Sequence, residues 1–234
     1  MRYALAMGLL LVWWGTARVG VADDKQGERL ERSAEVITEI MRTPDKGIPP
    51  ELINKAVCVG VIPSEKKGAI GVGATYGRGA LVCRKGGNGP WGAPSMFTVS
   101  GLNVGVQLGG QTTDFVLLVM NARGAQTLLH DKAKIGADAS AAGGPVGRSA
   151  QGATDVQLRA EILTYARTRG AFAGVSLDGQ MFKQDTDSNE KLYGGPHTPE
   201  DILFKGDVAV PATGQELDTA LTQYSPHGGE PFNP

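Results

Sequence analysis

Apolar and polar positions alternate with two different periods along this chain. From Gln26 to Arg42, Leu30, Ala34, Ile37 and Met41 recur at helical spacing with charges on the other side, which predicts an amphipathic helix. Thr43-Pro44 ends it, and Pro49-Pro50 opens a short second helix, ELINKA. The period then shortens. Val57 to Ile62 reads as a buried strand stopped by Pro63, and Gly68 to Cys83 as a glycine-punctuated hairpin with Gly71, Gly73, Gly77 and Gly79 on one face. Met96 to Gly109 is extended, and Phe115 to Met120 is a continuous apolar run, the mark of a strand buried on both faces. Ala122 to Asp131 fits one short helix, Lys134 to Ala142 is extended, and Gly143-Gly144-Pro145 marks a turn.

Val156 to Thr168 alternates and pairs in expectation with Ala171 to Phe182 around Arg169-Gly170. In the second run Ala171, Ala173, Val175 and Leu177 share one face. Its small residues imply that another backbone approaches closely. Beyond Gly194 the chain is proline-rich. One short helix starts at Thr198-Pro199-Glu200-Asp201, with a cap hydroxyl, a proline and acids in the first turn. Leu217, Ala220, Leu221 and Tyr224 make a second helical stripe, and Ser225 to Pro234 is expected to fray. The pattern predicts an α+β fold: a mainly antiparallel, glycine-rich, barrel-like β domain with short flanking helices. Its expected organisation is a signal peptide over 1–22, a helical segment over 23–54, the β domain over 55–194 and a proline-rich tail over 195–234.

Composition sharpens this picture at three points. The chain has 234 residues, 41% hydrophobic and 20% charged, enough for one domain with a sizeable core. Its 34 glycines lack a collagen-like period and sit among Val, Ile and Leu, so they read as strand kinks and tight turns. At the start, Arg2 precedes an apolar run from Ala4 to Trp14, and Gly20-Val21-Ala22 is a small-residue cleavage site. The run is short for a membrane span. Cleavage after Ala22 would send the protein to the periplasm or cell envelope. It would remove Arg2 and Arg18 from the 23 basic residues and none of the 24 acids, so the net charge falls from −1 to about −3. Bulk nucleic-acid binding is not indicated. In an oxidising compartment Cys58 and Cys83 either pair or serve as two small buried hydrophobes.

Motifs for catalysis are thin. GVGATYGRG from Gly71 has Tyr76 where a dinucleotide fingerprint has its third glycine, and it leads into a strand, not a helix. Neither Ser176 nor Ser149 lies in a nucleophile elbow. His130, His197 and His227 are scattered, and with two cysteines they form no metal spacing. Asp114 precedes a buried run. It is either a functional acid or an acceptor for turn amides and an arginine, with the second reading favoured for it and for Asp138. No metal or cofactor is implied.

Charge is distributed unevenly. From Lys55 to Lys85 there are six basic residues and one acid, Glu65, a local charge of +5. Lys66, Lys67, Arg84 and Lys85 fall in expected loops flanking one hairpin, and Trp91 follows. These five residues are the candidate lipid-binding site: cations for anionic head groups and an indole for the interface. The competing reading is a solvated basic edge that discourages strand aggregation, with the tryptophan packed over glycine.

Seven blocks in order resemble the SYLF domain family, over about Lys55 to Gly194. They are KAVCVGVIP, GVGATYGRGALVC, GPWGAPSMF, GVQLGGQTTDFVLLVM, GADASAAGGPVGR, YARTRGAFAGVSLDG and NEKLYG. The resemblance implies a non-enzymatic module that binds phospholipid, with an amphipathic segment such as Gln26 to Arg42 before it. Combined with the export signal it implies anionic phospholipid of a bacterial envelope as the partner. A structural or protein-interaction module using the helical flanks is the alternative, and an enzyme on lipid or cell-wall substrates a third.

Overall fold

The computed structural model describes residues 24–43, 47–64, 74–102, 113–147, 159–168, 171–226 and 228. The expected signal peptide lies outside them. Among the described residues nine strands form one strongly curled, mostly antiparallel half-barrel sheet. They are β1 (Cys58–Ile62), β2 (Ala74–Cys83), β3 (Ser95–Leu102), β4 (Thr113–Val119), β5 (Lys132–Lys134), β6 (Ala141–Gly143), β7 (Ile162–Thr168), β8 (Ala171–Gly174) and β9 (Met181–Gln184). The order is β5-β9-β3-β2-β1-β4-β7-β6, with β8 also on β7. Among the described strand pairs, β6–β7 alone is parallel. The α-helices among the described residues are α1 (Lys25–Met41), α2 (Pro50–Lys55), α3 (Ala122–Leu129), α4 (Thr186–Tyr193) and α5 (Gln215–Tyr224). The α+β class is as the sequence pattern predicts.

The two faces of the sheet build two cores. On one, Val59, Val61, Ala80, Val82, Val116 and Leu118 pack under Leu30, Ile37 and Ile40 of α1 and Leu217 and Leu221 of α5. On the other, Phe97 stacks on Phe182 with ring centroids 4.5 Å apart, among Leu81, Leu117 and Leu128 of α3. Alternation along each strand sends successive side chains to opposite cores. β4 therefore shows no polar side over Val116 to Val119, all of it buried. Helix α1 starts at Asp24, whose carboxylate accepts from Gly27 N at 2.9 Å and caps the first turn.

Several expectations change in detail. Ala74–Cys83, the described part of the expected hairpin, is one ten-residue strand between β1 and β3. Its glycines make room instead of turning: a Cβ on Gly79 would lie 2.6 Å from Phe97 Cζ. The run from Lys134 to Ala142 is broken into β5 and β6 by a turn with Gly136 at φ 86°, closed by Asp138 accepting from Lys134 N at 2.6 Å. The two strands expected to pair do so antiparallel over β7 and β8, with Tyr165 opposite Gly174 and Thr168 opposite Ala171. The pairing stops at Gly174, and Met181–Gln184 crosses to pair with β3 and β5. The expected close approach is there. A Cβ on Gly143 would meet the Gly174 carbonyl carbon at 3.0 Å. Helix α4 was absent from the sequence reading, although Asp185 caps it and Gly194 closes it at φ 71°, a cap-and-glycine pair that marks a helix. Cys58 and Cys83, directly opposite on β1 and β2, are joined as a disulfide with Cα atoms 4.0 Å apart.

Candidate functional site

Arg84 and Trp91 are not surface groups. Arg84 is fully buried and Trp91 is 3% exposed. The alternation of β2 explains this. Ala80 and Val82 face the helical core, and Arg84, two residues on, keeps the same parity because an isolated bridge to Trp91 prolongs the ladder. Its guanidinium stacks on the Trp91 ring, 3.9 Å from the centroid. It donates to Ala56 O at 3.2 Å, Gly89 O at 3.1 Å and Ser225 O at 3.0 Å, and also to Ser225 Oγ. Trp91 Nε1 donates to the same Ser225 carbonyl at 3.0 Å. Burial pulls the Arg84 guanidinium down to about 10, still protonated at neutral pH. The cluster clasps the end of α5 to the sheet. Ser225, expected to fray, is buried within it.

Lys85 alone of that basic pair is exposed. It lies near Asp218, whose carboxyl burial pushes up while Lys85 acts in the opposite direction. Lys66 and Lys67 lie outside the described residues. Strand β2 begins at Ala74, at the end of the strand far from Arg84. Cys83 faces Cys58 at the start of β1, and Ala80 faces Val61 near its end. Ten strand residues, about 30 Å, separate the two ends of β2.

At that far end Asp114 has the bland role expected of it. It accepts from Ser64 N at 2.7 Å and from Arg167 Nε at 2.7 Å. Arg167 also meets Glu39 of α1, and burial lowers its pKa while Glu35 raises it. Arg167 is thus a bridge from β7 to α1. Ser176 is exposed, and its Oγ accepts from Asp178 N at 3.1 Å. Exposed His130 ends α3, and His197 sits edge-on to Tyr193.

A cleft of about 420 Å³, missed by the sequence reading, is lined by Arg123, Asp138, Ser140, Arg159 and Glu161 among others. Glu161, buried, holds no free oxygen for chemistry. Oε2 accepts from Ser140 N at 2.7 Å, and Oε1 pairs with Arg123 Nε at 3.2 Å. The parity of β7 did not announce it, because Glu161 precedes the first strand residue. Among the described residues no group of three His, Cys, Asp or Glu side chains is placed to hold a metal. No described helix is long and apolar enough to cross a membrane.

Comparison with known proteins gives the relationship. Residues 100–224 match the family described as Ysc84, Las17-binding protein actin regulator. The SH3 domain-containing protein PJ696.02 of Schizosaccharomyces pombe is 35% identical over 177 residues, covering 74% of this chain and 40% of its own. The SH3 domain-containing YSC84-like protein 1 of Bos taurus is 32% identical over 183 residues, covering 78% and 53%. LAS seventeen-binding protein 3 of Saccharomyces cerevisiae is 31% identical over 192 residues, covering 79% and 41%. The chain spans about half the length of these relatives or less. The matched stretch runs from the end of β3 to the end of α5 and so takes in the clasp residue Ser225's helix and the Arg167 bridge. By the family match and by these relatives, the chain belongs to the Ysc84 family.

Proposed function

We propose that this chain is a non-catalytic binding module whose main task is to dock a protein partner. The observation that carries the reading is the fate of the buried charged side chains. Arg29, Arg84, Asp114 and Glu161 are the buried ones among the described residues, and each is tied internally to a backbone group, a counter-ion or a sulfur. An active site would leave at least one such group facing a substrate. Relatives whose printed names speak of Las17 binding and SH3 domains support protein docking as the family's business. Crosslinking of the full chain in extracts of its source cells, with the partner then purified and titrated back, tests the reading. Saturable binding of a purified partner is the expected result. A chain that stays an uncrosslinked monomer across all extracts would overturn it.

A second reading keeps anionic phospholipid as ligand, through Lys66, Lys67 and Lys85. It is supported by the local charge of +5 and by the exposure of Lys85. Arg84 and Trp91 drop out of it, since neither reaches the surface. The disulfide supports export to a periplasm or envelope, because such bonds persist in oxidising compartments. Flotation with neutral and anionic liposomes at low salt separates the readings. Equal, negligible recovery with both vesicles removes the lipid reading and leaves docking intact.

A further inference from the structure

The helical layer leaves part of its own sheet face bare. Strands β2, β3, β9 and β5 are neighbours, and one register runs across all four. Arg78 stands opposite Thr98, Thr98 opposite Lys183, and Lys183 opposite Lys132. One pleat along, Tyr76 is opposite Ser100, Ser100 opposite Met181, and Met181 opposite Lys134. Directly opposed residues project to the same side of a sheet, as do residues two apart on one strand. This is the side that α1 and α5 cover farther along, because Ala80, Val82 and Met96 share its parity and lie in the helical core. Beyond the helices nothing described covers it. Lys132, Lys134 and Lys183 are exposed, and Tyr76, at 61%, is the exposed large hydrophobic residue among those described.

Ordinary structural needs do not account for this arrangement. Lys132 and Lys183 are like charges directly across a strand pair, which destabilises a sheet. No described carboxylate forms an ion pair with Lys132, Lys134 or Lys183. The nearby Asp138 is engaged with the Lys134 backbone N–H. Lysines on an edge strand discourage aggregation, which suffices for β5. It does not suffice for Lys183, because β9 lies between β5 and β3 and has no open edge there. The intervening residues Ala133 and Phe182 already fill the opposite core.

We infer that this face docks an extended, acidic stretch of a partner protein. The inference rests on the docking reading above and names the surface and the chemistry of what it takes. Three strand spacings separate β5 from β2, about 14 Å, the reach of four or five extended residues. A short run of carboxylates laid across the strands meets Lys132 and Lys183 in one row and Lys134 in the next. Its far end reaches the Tyr76 ring, which Arg78 overlies at 5.6 Å. Shape favours a chain over a bilayer. Helix α1 packs against β2 and α4 against β3, so the lysines sit beside a wall one helix thick, about 10 Å. A flat lipid surface is held off by that wall, and a single chain is not.

The test uses the full disulfide-intact chain and a fluorescein-labelled decaglutamate peptide, read by anisotropy. The triple variant Lys132→Gln/Lys134→Gln/Lys183→Gln is expected to weaken binding at least tenfold, with Lys55→Gln changing it less than twofold. Unchanged affinity in the triple variant overturns the inference. On the wild-type chain, carbodiimide coupling of the same peptide is expected at Lys132, Lys134 or Lys183. Coupling confined to Lys66, Lys67 or Lys85 overturns it without any variant that must fold. Phosphatidylglycerol vesicles that bind through these three lysines when the peptide does not also overturn it, in favour of a membrane. A purified partner that binds the triple variant as well as wild type removes this face and leaves the docking reading standing.

Discussion

Two arginines, at opposite ends of the sheet, tie the same helical layer down by different means. Arg84 is fully buried, and among the described residues no carboxylate reaches it. It is held by three carbonyls, a hydroxyl and an indole face. Arg167 is part-exposed and stands between two acids, Asp114 and the half-exposed Glu39. Burying a charge is expensive unless its donors are satisfied. A guanidinium, with five donors in a flat fork, meets that condition with neutral acceptors alone. Formal ion pairing is therefore a poor guide to which arginine matters. The one without a counter-ion is the more deeply committed, and the one with two is partly screened by water.

The largest expected effect breaks the Arg84 end. Arg84→Ala leaves the carbonyls of Ala56, Gly89 and Ser225 without that donor and removes the stack on Trp91. Urea unfolding is expected to show a loss of about 4 kcal/mol, with α5 released first in hydrogen exchange. A loss under about 1 kcal/mol would mean the clasp is incidental. Next comes the disulfide beside it. Cys58→Ser/Cys83→Ser is expected to cost about 3 kcal/mol from loop entropy. Reduction of the wild type by dithiothreitol should match the double variant in the same unfolding assay.

The Arg167 end should yield less. Asp114→Ala removes an acceptor from Ser64 N and a partner from Arg167, with an expected loss of about 2 kcal/mol. If Asp114→Ala instead destabilised as much as Arg84→Ala, the ranking of the two arginines would be wrong. The calorimetric melting temperature at two salt concentrations checks this. The Arg167 bridge should weaken with salt, and the Arg84 clasp, sealed from solvent, should not.

The same contrast shows what was legible in the chain. Periodicity places α1 and the β7–β8 pair, the paired prolines place α2, and an unbroken apolar run places β4. Periodicity misses α4, eight residues whose signal is a cap and a closing glycine more than an apolar stripe. Glycines on β2 were read as a hairpin because a glycine that turns the chain and one that admits Phe97 look identical in sequence. Arg84 falls in an expected loop for a related reason. Its parity with Val82 was available, but an arginine continuing an apolar alternation reads as the end of the strand. The acceptors that make its burial tolerable come from Ser225, far along the chain. Of Lys132, Lys134 and Lys183, the first and last fall just outside the expected strands, which begin at Lys134 and end at Phe182. Their gathering onto one face depends on a register across four strands that no local pattern states.

The smallest effect has the opposite sign and sharpens the contrast most. Tyr165 sits two residues before Arg167 on β7, 1% exposed, and among the described residues its hydroxyl has no hydrogen-bond partner. It is the reverse of Arg84, a polar atom in the same helical core with no acceptor or donor provided. Burial raises its pKa above the ordinary value of 10.0, as it does for Tyr193. A raised folded pKa means the unfolded chain releases its proton first. The stabilising contribution is complete below pH 10 and is lost as pH climbs past it. Tyr165→Phe removes the unpaired hydroxyl and keeps the ring. It is expected to raise stability at pH 7 by about 1 kcal/mol and to make the decline above pH 10 shallower, with Tyr193 supplying the remainder. Unfolding midpoints at pH 7 and pH 10.5 measure both. A variant less stable than wild type at pH 7 would mean that the hydroxyl has found a partner, and that this end of the core is as fully satisfied as the Arg84 end.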